Sequence, residues 1–198
     1  MHDVLPAVAN LLVASERRAF RAGEVMTLLA AIADDRPAPP VLTFVPRSEA
    51  ASRIEPGAHP LTESLLLPNY YGFGCPVPPP ASKNDAEIIE IADRYVRHED
   101  EDYWEELDQL IHESARDAWR VILALLQREN EINMGYLGAG PVETLVTYYG
   151  EVFADDLHDA IEHNPAFVRA FAGSYLYTLS ESLLMDLAAT CRRVLSRR

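Results

Sequence analysis

Twelve of the fourteen prolines in this 198-residue chain lie before residue 83, and they crowd into RPAPPVLTFVPR and GCPVPPPASK. Proline fixes φ and has no amide hydrogen to donate, so neither stretch can be helix interior. Beyond residue 83 only Pro141 and Pro165 remain, and helical periodicity runs almost unbroken. Composition therefore divides the chain into residues 1–83, N-terminal helices plus a proline-rich extension, and residues 84–198, an acidic helical domain. The fold class is all-α: a helical bundle with a proline-rich irregular N-terminal extension. Residues 84–196 are expected to form the bundle and residues 36–83 to wrap it.

The helices can be placed one by one. In the first 35 residues Leu5, Val8, Leu11 and Leu12 fall at helical spacing behind Asp3, a good cap. Phe20 lies in a second segment, and Val25, Met26, Leu28, Leu29 and Ile32 make a further stripe. VLTFV, 41–45, is β-branched and reads as a short strand or an extended segment. Asn84 and Glu87 form a capping-box pair ahead of Ile88, Ile89, Ala92, Tyr95 and Val96. Tyr103, Trp104, Leu107, Leu110 and Ile111 give the next stripe. Ser114 caps a helix carrying Trp119, Ile122, Leu123 and Leu126, with Asp117 in its first turn. Val142, Leu145, Val146 and Tyr149 end at Gly150; Val152, Phe153, Leu157 and Ile161 end at Asn164–Pro165. Phe167, Val168, Phe171 and Tyr175 begin the last segment, which breaks near Ser180 and finishes with Leu183, Leu184, Leu187, Cys191 and Leu195.

Charge is as uneven as proline. The net charge is −14, and counting residues gives −1 for 1–83 (8 acids, 7 bases) and −13 for 84–198 (23 acids, 10 bases). Such a surface repels nucleic acid and anionic membrane and attracts a basic protein. No apolar run approaches the roughly 18 residues of a membrane span. MHDVLPAVANLLVASERR lacks a basic leader and reads as mature helix rather than a signal peptide. Cys75 and Cys191, far apart in sequence, read as free thiols in preference to a disulfide, and the expected location is cytoplasmic.

GYLGAGPVETLV, 135–146, has the look of a phosphate loop without its chemistry. The lysine and hydroxyl residue that follow such a loop are replaced by Pro141, Val142 and Glu143. A corner between two helices accounts for every residue: Gly138 left-handed at the end of one, Gly140 capping the next, Pro141 at its first position and Glu143 in its first turn. The run from IADRYVRH through DAWRVILALL, GYLGAGPVETLVTYYG and NPAFVRAF resembles an uncharacterised bacterial all-helical family, a domain of unknown function. Trp119, Gly138, Gly140, Pro141, Glu143, Gly150 and Pro165 match its pattern in order, over roughly residues 85–177. Valine stands at 142 where the family pattern has leucine. The resemblance implies a helical fold and no catalytic residue.

Chemistry-bearing motifs are sparse. His158 and His163 are five apart, whereas two zinc ligands on one helix usually sit three or four apart. HEDEDYWEEL, from His98, lacks the alternating ligands and glycine of a calcium loop. Gly173–Ser174 lacks the second glycine of a hydrolase elbow, and Cys75 has no basic neighbour to activate it. No catalytic residue, metal site or cofactor is assigned, and the sequence favours a non-enzyme over an enzyme without deciding between them. The one directional feature is EDEDYWEELDQL, which interleaves acids with aromatic side chains. Tyrosine and tryptophan supply interface contact area, and acids supply steering. The partner-binding residues expected are Glu99, Asp102, Tyr103, Trp104, Glu105, Glu106 and Asp108. Trp104 shares a stripe with Leu107 and Ile111 and could point inward, leaving Tyr103 as anchor. The expected function is an immunity- or antitoxin-type inhibitor of a basic bacterial toxin. The alternatives are a helical adaptor or regulator, or an enzyme whose site is not visible in sequence.

Overall fold

The computed structural model describes residues 4–41, 43, 80–97 and 103–197, with side chains of the first helix from Val13 onward. Most of VLTFV and of the expected wrapping segment lies outside the described residues. All regular structure among the described residues is helical.

The first helix, α1 (Val4–Ala33), is one continuous element of 30 residues rather than the several segments expected. Nothing between Val13 and Ala33 breaks it, since Gly23 alone is a weak interruption. It stops where Asp35 turns to φ 52°, just ahead of the first proline cluster. Then come α2 (Asp85–Arg97), α3 (Tyr103–Glu113) and α4 (Ala115–Leu126). Asn84 and Glu87 open α2 by reciprocal bonds: the Asn84 amide donates to Glu87 Oε2 at 2.8 Å, and the Glu87 amide to Asn84 Oδ1 at 3.1 Å.

The next helix is composite. A single turn, α5 (Met134–Leu137), runs into a π-helical turn over Gly138–Val142 and on into α6 (Glu143–Tyr149). The expected corner is therefore a bulge within one helix. Gly138 is right-handed at φ −68°, not left-handed. The cause is Pro141, which has no amide for the ladder and whose ring would strike the preceding turn; widening that turn accommodates both. After α7 (Ala154–His163), Asn164 and Pro165 start α8 (Pro165–Phe171), with Asn164 Oδ1 accepting from the Phe167 amide. Residues 172–180 are irregular, so Tyr175 lies on an exposed loop rather than on the helical stripe expected. Ser180 caps α9 (Glu181–Ser196) through the Leu183 amide, at the predicted break.

One hydrophobic cluster unites these helices. Trp119 sits at its centre, edge-on to Phe167 and tilted against Phe153, with Phe167 stacked on Phe171. From the other side α1 packs along α9 and against α8, bringing Val25, Leu28, Leu29 and Ile32 into the same cluster. The nearly buried Glu24 carboxylate bonds Arg192 of α9 at 2.7 Å and Arg21 at 2.8 Å. Burial works to raise its pKa, but the two guanidinium groups outweigh this and lower it.

Candidate functional site: a cleft between α3 and the π-turn

α3 packs against α4 with Leu107, Leu110 and Ile111 inward, which turns the α3 acids toward solvent. Trp104 does not follow its stripe into the core. It is 51% exposed and lines an open cleft of about 350 Å³. Tyr95 of α2 and Asp108 of α3 form the same wall, and Tyr136, Gly140 and Pro141 the opposite one. The acidic stretch and the glycine-rich stretch, separate features in the sequence, are thus the two sides of one concavity.

The π-turn side is held firmly. Asn133 Oδ1 accepts from the amides of Gly135 and Tyr136. The Glu143 amide donates to the carbonyls of Gly138 and Gly140. Gly138 packs its Cα against Ala170 of α8 so closely that a Cβ there would fall well inside 3.0 Å of the Ala170 carbonyl. The buried Ser174 hydroxyl donates to the Gly138 carbonyl at 2.8 Å. The Glu143 carboxylate accepts from the Tyr175 amide at 2.9 Å, and Glu151 from the Ser180 amide at 2.9 Å. These contacts fix residues 172–180 beside α5, where Tyr175 and Tyr177 are exposed with their rings 6.2 Å apart. The amides of Gly135, Tyr136, Leu137, Gly138 and Glu143 are all bonded within the helix or to its cap.

The expected partner-binding residues fare differently. Glu99 and Asp102 lie outside the described residues, as does the Tyr103 side chain. Trp104, Glu105 and Asp108 face solvent at or beside the cleft. Glu105 has no hydrogen bond or ion pair among the described residues, and Asp108 has only His112, at 4.0 Å. Glu106 is engaged already: Arg94 meets it with Nε at 3.0 Å and Nη2 at 2.5 Å while also bonding Glu90. A partner's cation at Glu106 must displace or share Arg94.

Elsewhere the ionisable groups serve the fold. Asp117 is fully buried and accepts from the Ser82 and Lys83 amides, the Ser114 hydroxyl and Arg120. Burial pushes its pKa up, but the donated bonds outweigh this and bring it down to about 2. The sequence placed Asp117 in the first turn of α4 but gave no sign that it pins residues 82–83. His158 Nδ1 lies 2.8 Å from the buried Thr190 hydroxyl, and His163 pairs with Asp159. Among the described residues no group of three or more His, Cys, Asp and Glu side chains is placed to hold a metal ion, and no helix is long and apolar enough to cross a membrane. Cys191 is buried, and burial raises its thiol pKa to about 12; Cys75 lies outside the described residues.

No curated protein and no solved structure matches the chain. The residues that carry the family resemblance have structural work: Trp119 in the core, Gly138 against α8, Pro141 in the π-turn, Glu143 on the Tyr175 amide, Pro165 at the start of α8. Residues 93–189, from the middle of α2 into α9, match the model of DUF6869, a family of unknown function, and the family resemblance of this chain is to that family.

Proposed function

We propose that the chain is a non-enzymatic binding protein that takes a basic protein partner on the α3 face, as an inhibitor of the immunity or antitoxin type directed at a basic toxin. One observation carries this reading: a half-exposed tryptophan, Trp104, stands at an open cleft beside Glu105 and Asp108, acids that no basic residue of the described chain neutralises closely. Tryptophan is among the residues most enriched at interface hot spots, and at an open cleft it supplies a ready anchor. The acids around it give such a partner its charge sign and steer its approach. The net charge of −13 in residues 84–198 adds long-range attraction for a basic surface.

The test is affinity capture from the source cells, followed by binding and activity measurements on the purified captured protein. Wild type is compared with a form in which Asp102, Glu105, Glu106 and Asp108 are changed to Lys, both matched for helicity. The expected outcome is a basic protein whose activity the wild type suppresses, bound more weakly as salt rises and not bound by the charge-reversed form. A partner held equally by both proteins, with salt-independent affinity, would place the interface elsewhere and overturn the reading.

A further inference from the structure

The cleft has a property that a flat acidic face lacks. Its walls are aromatic, Trp104 and Tyr136, both largely open to solvent, with the buried Tyr95 between the elements. Its charge is that of Asp108, whose neighbour His112 stands 4.0 Å away and packs edge-on to Tyr148 rather than closing on the carboxylate. Its volume of about 350 Å³ is at the small end of ligand pockets, too little for a helix but enough for one side chain.

Gly140 points the same way. A glycine within a helix costs up to about 1 kcal/mol relative to alanine. Gly140 has no left-handed φ, and no atom of another element lies within 4 Å of where its Cβ would stand; only the ring of the following Pro141, within its own helix, disfavours a Cβ there. Gly138, two residues earlier, is forced by its contact with Ala170, whereas no neighbouring element forces Gly140. What its missing side chain does is keep the cleft open, since Gly140 lines it.

We infer that this cleft is a receptacle for a single guanidinium side chain, an arginine presented by the basic partner, which lies against the faces of Trp104 and Tyr136 and pairs with Asp108. Arginine fits better than lysine because its planar, weakly hydrated head stacks on aromatic rings while donating to a carboxylate, whereas an ammonium holds its water. This inference rests on the proposed reading for the source of the arginine, but the receptacle can be examined without the partner.

The chain has two tryptophans, and Trp119 is buried in the core, so its indole N–H is an internal reference for that of Trp104 in NMR spectra of the full chain. The probes are Nα-acetyl-arginine amide and its neutral isostere Nα-acetyl-citrulline amide, at millimolar concentration. Expected is a saturable shift of the Trp104 signal with the arginine probe, at least about tenfold weaker binding of the citrulline probe, and a still Trp119 signal. Asp108→Asn should weaken the arginine probe about tenfold. Gly140→Val should block it while leaving the protein folded, as the unmoved Trp119 signal reports. Equal binding of both probes, or arginine binding unchanged in both variants, would overturn the receptacle. The two proposals fail separately. A basic protein bound through the α3 acids with no arginine-probe binding removes the receptacle alone. Arginine-probe binding with no basic protein captured sustains the receptacle and removes the inhibitor reading.

Discussion

The Ala170 carbonyl of α8 lies against the Cα of Gly138, leaving no room for a Cβ, while the Ser174 hydroxyl closes on the Gly138 carbonyl at 2.8 Å. This contact seats the π-turn on α8 and so sets one wall of the cleft. It also separates two glycines that look alike in the sequence. Gly138→Ala must push backbone against backbone and should destabilise by about 1–3 kcal/mol, the range of overpacking. Gly140→Ala meets no other element, only the ring of Pro141 beside it, and should change stability by less than Gly138→Ala. Denaturant midpoints of the two variants check this, and a larger loss at Gly140 would show that the π-turn, not the α8 contact, is the constrained point.

Asp117 should govern stability in acid. Its pKa lies at about 2 in the folded protein against 3.8 for a free aspartate. A depressed folded pKa gives stability that is complete above the unfolded value and is lost as pH falls through the folded one. The loss from this group therefore falls between about pH 4 and pH 2 and amounts to about 2 kcal/mol. Asp117→Asn keeps the shape but cannot accept at both oxygens, and should unfold earlier at neutral pH. Urea titrations of wild type and variant should converge at the low-pH end; parallel curves down to pH 2 would mean that the carboxylate charge is not what holds residues 82–83.

Arg94 should act on binding rather than on stability. Its pair with Glu106 is exposed, with side chains 31% and 44% accessible, and such pairs contribute roughly 0–1 kcal/mol. Arg94→Gln removes a positive charge from the acidic face and frees Glu106. The expected result is an unfolding midpoint close to wild type and faster association with a basic partner at low salt. Slower association would show that the Arg94–Glu106 pair shapes the docking face.

Removing residues 1–83 should cost the fold its cooperativity. Val25, Leu28, Leu29 and Ile32 of α1 are in the common core. At roughly 1.5–3 kcal/mol per buried side chain, their loss is comparable with the 5–15 kcal/mol total stability of a typical domain. A fragment of residues 84–198 should keep helical circular dichroism but bind hydrophobic dye and unfold over a broad range. A sharp transition would establish that the acidic helical domain folds alone, as its composition suggests.

The thiol of Cys191 should be inert. Burial raises its pKa to about 12, so almost no thiolate exists at neutral pH. In a Cys75→Ser background, labelling by a thiol reagent should wait for unfolding and accelerate with denaturant. Rapid labelling in native buffer would mean that α9 opens locally.

What could be read from the chain was whatever its own neighbours in sequence decide. Asn84 with Glu87, Asn164 with Pro165, and Ser180 ahead of Leu183 act across three residues or fewer, so the cap is visible wherever the residues are. The stripes from Ile88 to Leu195 needed only the helical period, and the split of proline and charge near residue 83 needed only counting. The π-turn was misread as a corner because Gly-Ala-Gly-Pro fits both. Pro141 widens the turn in either case, and the contacts of Gly138 with Ala170 and Ser174, more than thirty residues away, hold the backbone helical through it. Asp117 looked like a helix-start acid until the amides of Ser82 and Lys83 arrived from 35 and 34 residues upstream. Trp104 matched a core stripe because period alone cannot say how much of a helix face its neighbours cover. Leu107 and Ile111 are covered by the bundle; Trp104, one turn nearer the helix start, is left facing the cleft. Local hydrogen bonding and periodicity are short-range and therefore written in the sequence. Close approach, burial and the meeting of α3 with the π-turn depend on elements that only the folded chain brings together.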